Sequence, residues 1–378
     1  MKFCALPACF LALLTFSMAH SQTPEAPAKG VSLNLSLPPS DTNPRNSEGD
    51  FLHLKDGLLL FVYSHYLGSK KETTGSILVS RVSSDEGRTW SDQNQTVLDT
   101  RAEGESMTSS VSLLRLSQGR IALFYSAKKS DEESWFLMRI SADEAQSWGD
   151  STVCTPGEGS FLVTHGRVIR LKSGRIIFPA GVHEGAPGSE EFHRGQGVCF
   201  YSDDEGATWK QGKGRVTAPA KSHSGIQYPA LVELKDGRLM MLLSMHLSPL
   251  LRAYSKDGGD TWTPYEPAGL PAPIAPASIK RVPSTGDLLL VWNDHRSVAP
   301  ALRGSRTPLT VAISTDEGLT WEKRKNLYED PDGAYSFAAV DFAGGRLLVA
   351  HTATHHARGP AALATTVISS VDLDWLYQ

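Results

Sequence analysis

Nine of the twelve histidines sit where proton-transfer chemistry near neutral pH is conceivable: His165, His183, His193, His223 and His246 in mid-chain, and His295, His351, His355 and His356 towards the end. An imidazole gains and loses a proton near pH 7, so a histidine in a loop is a candidate general acid or base. The plainer reading, for most of them, is a scatter of surface residues. No pair has a convincing metal-ligand pattern, HTATHH at His351 to His356 included, so neither a metal nor a cofactor is expected. In VWNDHRS, Asp294 and His295 follow an apolar strand and are read as substrate contacts on the same rim.

These side chains need a frame, and two repeats supply it. The first is SSDEGRTW from Ser83, SADEAQSW from Ser141, SDDEGATW from Ser202, SKDGGDTW from Ser255 and STDEGLTW from Ser314. Ser and Asp side chains bond nearby backbone N–H groups, Gly supplies a positive φ, and Trp anchors the turn in apolar packing. The boxes recur at steps of about 53–61 residues, room for one small sheet each. The motif is a folding device and carries no chemistry of its own.

The second repeat is an apolar strand, a tight turn and another apolar strand. It occurs six times, turning at Gly57, Gly119, Gly174, Gly237, Gly286 and Gly345. Five hairpins precede an Asp box. Six four-stranded sheets set radially make an all-β, six-bladed propeller. The sixth copy lacks a box, so its third strand is expected in TTVISSVDL, and VSLNLSL (Val31 to Leu37) is expected to pair with that blade and close the ring. One ring over residues 31–378 implies one domain.

Five Asp boxes nested among six such hairpins resemble the sialidase (neuraminidase) superfamily, with its BNR/Asp-box repeats. The resemblance spans nearly all of the chain after the leader. It implies a secreted exo-glycoside hydrolase that removes a terminal acidic sugar by a retaining mechanism with a tyrosine nucleophile. By the same resemblance Tyr335 in DGAYSFAAVDF is the nucleophile, and Glu72 in SKKETTGSILVS the acid/base. Arg306 in RTPLTVAIS and Arg45 in NPRNSEGDF would hold the sugar carboxylate, since a guanidinium binds carboxylates in bidentate fashion. Two positions depart from the pattern. Tyr228 stands where a proton-accepting Glu is expected, and is assigned to tuning Tyr335 or touching the sugar. Ser244 stands in place of a second arginine. Two alternatives stay open: a polysaccharide lyase acting on uronates, and a glycan-binding propeller without catalysis.

Composition fits this reading. The chain has 378 residues, 40% of them hydrophobic, and a net charge of −4, which argues against nucleic acid as a partner. Residues 1–19 read as a secretory signal: Lys2, an apolar run from Phe10 to Phe16, then Ser17-Met18-Ala19. Residues 20–30 read as a flexible tether. The protein is therefore expected outside the cytoplasm or in the periplasm, acting on a glycan, with no transmembrane segment. Cys154 and Cys199 remain after the signal, either as a disulfide or as two buried thiols.

Overall fold

The computed structural model describes residues 26–69, 72–128, 134–157, 160–183, 194–219, 222–246, 249–355 and 363–378. The expected signal segment lies outside them, as do His193, His356 and the side chain of His355.

Six antiparallel sheets form a six-bladed propeller. The innermost strands of blades 1 and 2 are Asn46–His53 and Met107–Arg115. Blade 3 has two short pieces, Ser160–Leu162 and Ile169–Arg170. Blades 4, 5 and 6 begin with Gln227–Glu233, Ser278–Arg281 and Gly333–Ala343. Blade 6 continues through Arg346–His355 and Thr365–Asp372, and its outer strand is Ser32–Leu37 from the start of the described chain. Ser32 pairs with Ser370 and Leu37 with Thr366, which closes the ring as expected. A five-residue helix, Leu373–Tyr377, ends the chain. Among the described residues no helix is long and apolar enough to cross a membrane.

The second strand of each blade carries a continuous apolar run, as in Leu288–Trp292 or the first five residues of Leu239–Ser244. Blades stack face to face, so a middle strand is covered on both faces and has no reason to alternate. Between blades 5 and 6, Leu289, Val311, Tyr328, Val340 and Val349 form one such interlayer.

Each Asp box closes on itself. In blade 3, Ser202 Oγ donates to Asp204 Oδ1 at 2.7 Å and accepts the Gly206 N–H at 2.8 Å, while Asp204 accepts the Thr208 N–H at 2.8 Å. Hydrogen bonds from the Thr208 hydroxyl and N–H hold the Asp204 carboxyl down at about 2. The glutamate inside the box does a second job. Glu317 grips both terminal nitrogens of Arg281 at 2.8 Å and accepts the Lys235 N–H from blade 4's turn at 2.7 Å. Glu144 and Glu205 bind Lys55 and Ser117 of the preceding blades in the same way. Replacing Glu317 with Ala is expected to cost about 2 kcal/mol, the usual worth of a charge-assisted pair with a backbone donor left open. Urea unfolding of the variant measures this, and a loss under about 0.5 kcal/mol would show the staple to be idle.

Cys154 and Cys199 are free and buried, in different interblade layers. The permitted disulfide does not form, and burial pushes both thiols well above their usual range.

Because strand direction alternates, the hairpin turns and Asp boxes share one face. The starts of the first and third strands share the other, which holds Arg45, Glu72, Tyr228, Arg306 and the entry to Gly333–Ala343.

Candidate active site

On that second face the inner strands of blades 1, 2, 4 and 6 all slip register at one level: Ser47/Asp50, Ser109/Ser112, Gln227/Ala230 and Ser336/Ala339. Each slip holds one non-glycine residue in left-handed backbone: Glu48 at φ 58°, Ser110 at 57°, Tyr228 at 49° and Phe337 at 54°. Such a conformation costs of order 1 kcal/mol or more and re-aims the side chain. In blade 3 the strand is interrupted instead, and His165 occupies the level.

The re-aimed side chains converge on the axis. Phe337 of blade 6 meets His165 of blade 3 at 6.0 Å between ring centroids, and Tyr228 of blade 4 edge to face at 6.2 Å. Blades 3 and 6 lie opposite each other, so these rings close the axial opening. His165 is fully buried against the Phe337 and Ala338 backbone, with neither ring nitrogen in a well-formed hydrogen bond. Burial drags its imidazolium down to about 3, and that of buried His351 likewise. Both stay neutral near pH 7, which removes them as acid–base candidates.

Arg306 faces this cluster. Its Nη1 donates to Ser336 Oγ at 3.1 Å and Nη2 to the Ile274 carbonyl at 3.4 Å. Its guanidinium carbon lies 5.4 Å from the Phe337 ring and 5.9 Å from the Tyr228 ring. Among the described residues no carboxylate pairs with it. Arg45 differs: its Nη2 donates to Ser47 Oγ at 2.9 Å and lies 3.4 Å from Glu48 Oε1. Glu48 Oε2 in turn accepts the N–H and hydroxyl of Ser110, both at 3.2 Å. The face thus has two halves, an Arg306–Tyr228–Phe337 half and an Arg45–Glu48–Ser110 half.

The other expected site residues lie elsewhere. Tyr335 is 2% exposed, packed on Tyr328 and His351 in the apolar layer between blades 5 and 6, with its hydroxyl folded back over Gly333. The nucleophile expected there is not presented to solvent; the register slip between Ser336 and Ala339 re-aims the strand, and the aromatic that reaches the axis is Phe337, two residues on. Glu72 is exposed at the start of its strand, paired with Ser69, with no side-chain partner among the described residues. Asp294 binds Arg324 at 3.1 Å, and the His295 ring lies 2.8 Å from the Ser305 carbonyl. Asp294 lines a separate cleft on blade 5, His295 ties down its loop, and no described contact joins either to Arg306. Ser244 is buried and donates to the Ala275 carbonyl at 2.7 Å, tying blade 4 to blade 5. His223 and His246 are exposed.

A profile of the BNR repeat-like domain matches residues 62–349, most of the chain. The chain belongs to the BNR repeat-like family. This BNR propeller is 28% identical, over 224 residues, to a sialidase from Micromonospora viridifaciens. That match covers 52% of the chain and 32% of the relative, so the chain spans about a third of that protein's length. Its fold is similar to a Dyadobacter fermentans protein of unknown function, with TM-score 0.69 at 18% identity over 91% of this chain and 100% of that one. It is also similar to a Trypanosoma rangeli sialidase solved with 2,3-difluorosialic acid as a covalent intermediate, with TM-score 0.68 at 15% identity over 93% and 60% of the two chains. At these identities the structural likenesses establish the propeller.

Glu48, Ser110, His165 and Tyr228 each stand nine residues before a hairpin glycine: Gly57, Gly119, Gly174 and Gly237. That offset was a readable signal for the axial ring. Phe337 escapes it because the Ala343-Gly344-Gly345 turn is built differently.

One level deeper lies Asp50, whose oxygens accept the Phe51 and Leu113 N–H groups at 2.9 Å each. Burial pushes its carboxyl up to about 6, against the pull of Lys280 and those two donors. The folded protein therefore keeps a proton that the unfolded chain releases near pH 4. This contribution, up to about 3 kcal/mol, is present below pH 4 and is lost as pH rises through 6. The Asp50 carboxyl carbon should titrate near pH 6 by NMR; a midpoint below 4.5 would refute this.

Proposed function

We propose that this BNR propeller is an exported, sialidase-like exo-glycoside hydrolase that removes a terminal acidic sugar from extracellular glycans. The observation that carries the reading is Arg306: a guanidinium held by neutral oxygens, beside two aromatic rings, with no described carboxylate as counter-ion. Such a group is poised for a substrate carboxylate. The sialidase relative from Micromonospora viridifaciens supports the substrate class, and the leader-like residues 1–19 support export.

In this reading Tyr228 supplies the reacting hydroxyl. Its oxygen bonds to the anomeric carbon as the glycosidic bond breaks, and exposed Glu72 protonates the leaving oxygen. Glu48, the carboxylate that blade 1 puts at the ring level Tyr228 fills in blade 4, takes the phenolic proton by way of a water, since no described contact joins the two side chains. Water then cleaves the tyrosyl intermediate, with net retention. Replacing Arg306 with Ala should raise KM for the acidic substrate by about 10–150-fold, the equivalent of one charge-assisted contact. The same change should spare a substrate whose carboxylate is masked as an amide. Equal losses on both would sink the assignment.

A second reading rests on the pairing of Arg306 with Tyr228 without a carboxylate touching either among the described residues. Elimination from a uronate needs an arginine to neutralise the acid and a tyrosine to move the proton from the adjacent carbon. An unsaturated, ultraviolet-absorbing product would select it over a released saturated monosaccharide. Binding without product would select a glycan-binding propeller.

A further inference from the structure

We propose that the propeller carries a second ligand site, an axial funnel towards the Asp-box face that takes a short aliphatic carboxylate. Beneath the Phe337–His165 closure, the inner strands of all six blades surround a cavity of about 290 Å³. Its walls are apolar, with Phe51, Leu113, Val168, Leu231, Ile279 and Val340 among them. Four charged residues interrupt that lining: Asp50, Arg167, Lys280 and Arg170, the last already paired with Glu205.

Arg167 is the anomaly. It is 4% exposed, yet its guanidinium meets only neutral oxygens: Ser278 Oγ at 3.1 Å and the Ala277 carbonyl at 2.7 Å. Its Nε has no partner, and among the described residues no carboxylate lies within ion-pair distance. A buried charge without a counter-ion is costly, and burial drags this guanidinium down to about 10. Asp50 lines the same cavity, with no cation in contact among the described residues. Lys280 marks the lip, one residue before the Arg281 that grips box glutamate Glu317. Its side chain is 44% exposed, and its Nζ binds the Val340 carbonyl at 2.8 Å and Asp341 at 2.9 Å. Asp341 also faces His53 at 3.2 Å.

A carboxylate head supplies the contact ion pair that Arg167 lacks among the described residues, and a short alkyl chain covers the apolar wall. The walls suit carbon chains better than hydroxylated sugars, and the volume limits the guest to a few carbons. The ligand also competes with charge already present. Asp50 faces Arg167, Lys280 and Asp341, and burial already favours its protonated form. A second carboxylate beside it favours that form further, so affinity falls about tenfold per pH unit above 6.

The test is calorimetric titration of the full chain with butyrate and, as neutral isostere, 1-butanol, at pH 5.5 and 7.5. An Arg306→Ala background removes the arginine of the opposite face, so this outcome is independent of the hydrolase reading. One saturable butyrate site, at least about tenfold tighter at pH 5.5, is expected, with no butanol binding. Arg167→Met should abolish it. Lys280→Met, whose fold a melting curve verifies, should weaken it several-fold. No saturable butyrate binding at pH 5.5, equal binding of butanol, or equal competition by chloride would overturn the proposal. So would affinity unchanged in Lys280→Met.

Discussion

Replacing Tyr228 with Phe is expected to lower turnover of an acidic glycan by about 10²- to 10⁴-fold, the span over which a positioned proton-transfer or nucleophilic hydroxyl acts. The change removes one oxygen and keeps the ring against Phe337 and Arg306. KM should therefore stay within a few-fold of wild type, and the loss should fall on kcat. Tyr335→Phe is the companion variant, expected to retain activity because the Tyr335 ring is enclosed between blades 5 and 6. The comparison is decisive either way. If Tyr335→Phe is inactive and Tyr228→Phe is not, the nucleophile is Tyr335, and catalysis requires that side chain to leave its layer.

The largest expected stability effect falls on the same buried ring. Tyr335→Ala removes a 2% exposed aromatic from a layer shared with Tyr328, Val340 and His351, and should cost about 3–5 kcal/mol. Its backbone N–H donates to the Arg306 carbonyl at 2.7 Å, so collapse around the cavity should also disturb the arginine. Urea midpoints measure the first effect, and the KM of the residual folded protein measures the second. A stability loss below about 1 kcal/mol would show that the layer closes over the gap, or that the ring does not belong to it.

Fold and site differed in how far the sequence exposed them, for a reason visible in single residues. The Asp box is a local object: Ser202, Asp204, Gly206 and Thr208 satisfy one another within seven residues, so their types and order carry the turn. Hairpins are equally local, and even the long-range closure of Ser32–Leu37 onto the last blade follows from counting strands. The box glutamates were less visible. Glu317 reads as a surface residue until the preceding blade's turn is placed beside it.

The site depends on which way side chains leave their strands. Tyr335 and Phe337 are two residues apart, and periodicity alone would send both to one face. The register slip between Ser336 and Ala339 separates them, so Tyr335 enters the layer and Phe337 crosses the axis. Asp294 was drawn away by Arg324, a partner thirty residues later on an outer strand. Arg167 and Asp50, which the motifs gave no reason to connect, come to one cavity because six inner strands share an axis.

The chain by itself thus determined the propeller, its six blades, its turns and its closing strand, because the first three are built from contacts within one repeat or between sequential repeats and the last follows from counting strands around the ring. Only the tertiary structure decided which of those repeats' side chains meet. It brought Arg306 to Tyr228, enclosed Tyr335 and His165, and left Arg167 with no described carboxylate in ion-pair contact, since bulges and opposing blades, not spacing, set what reaches the axis.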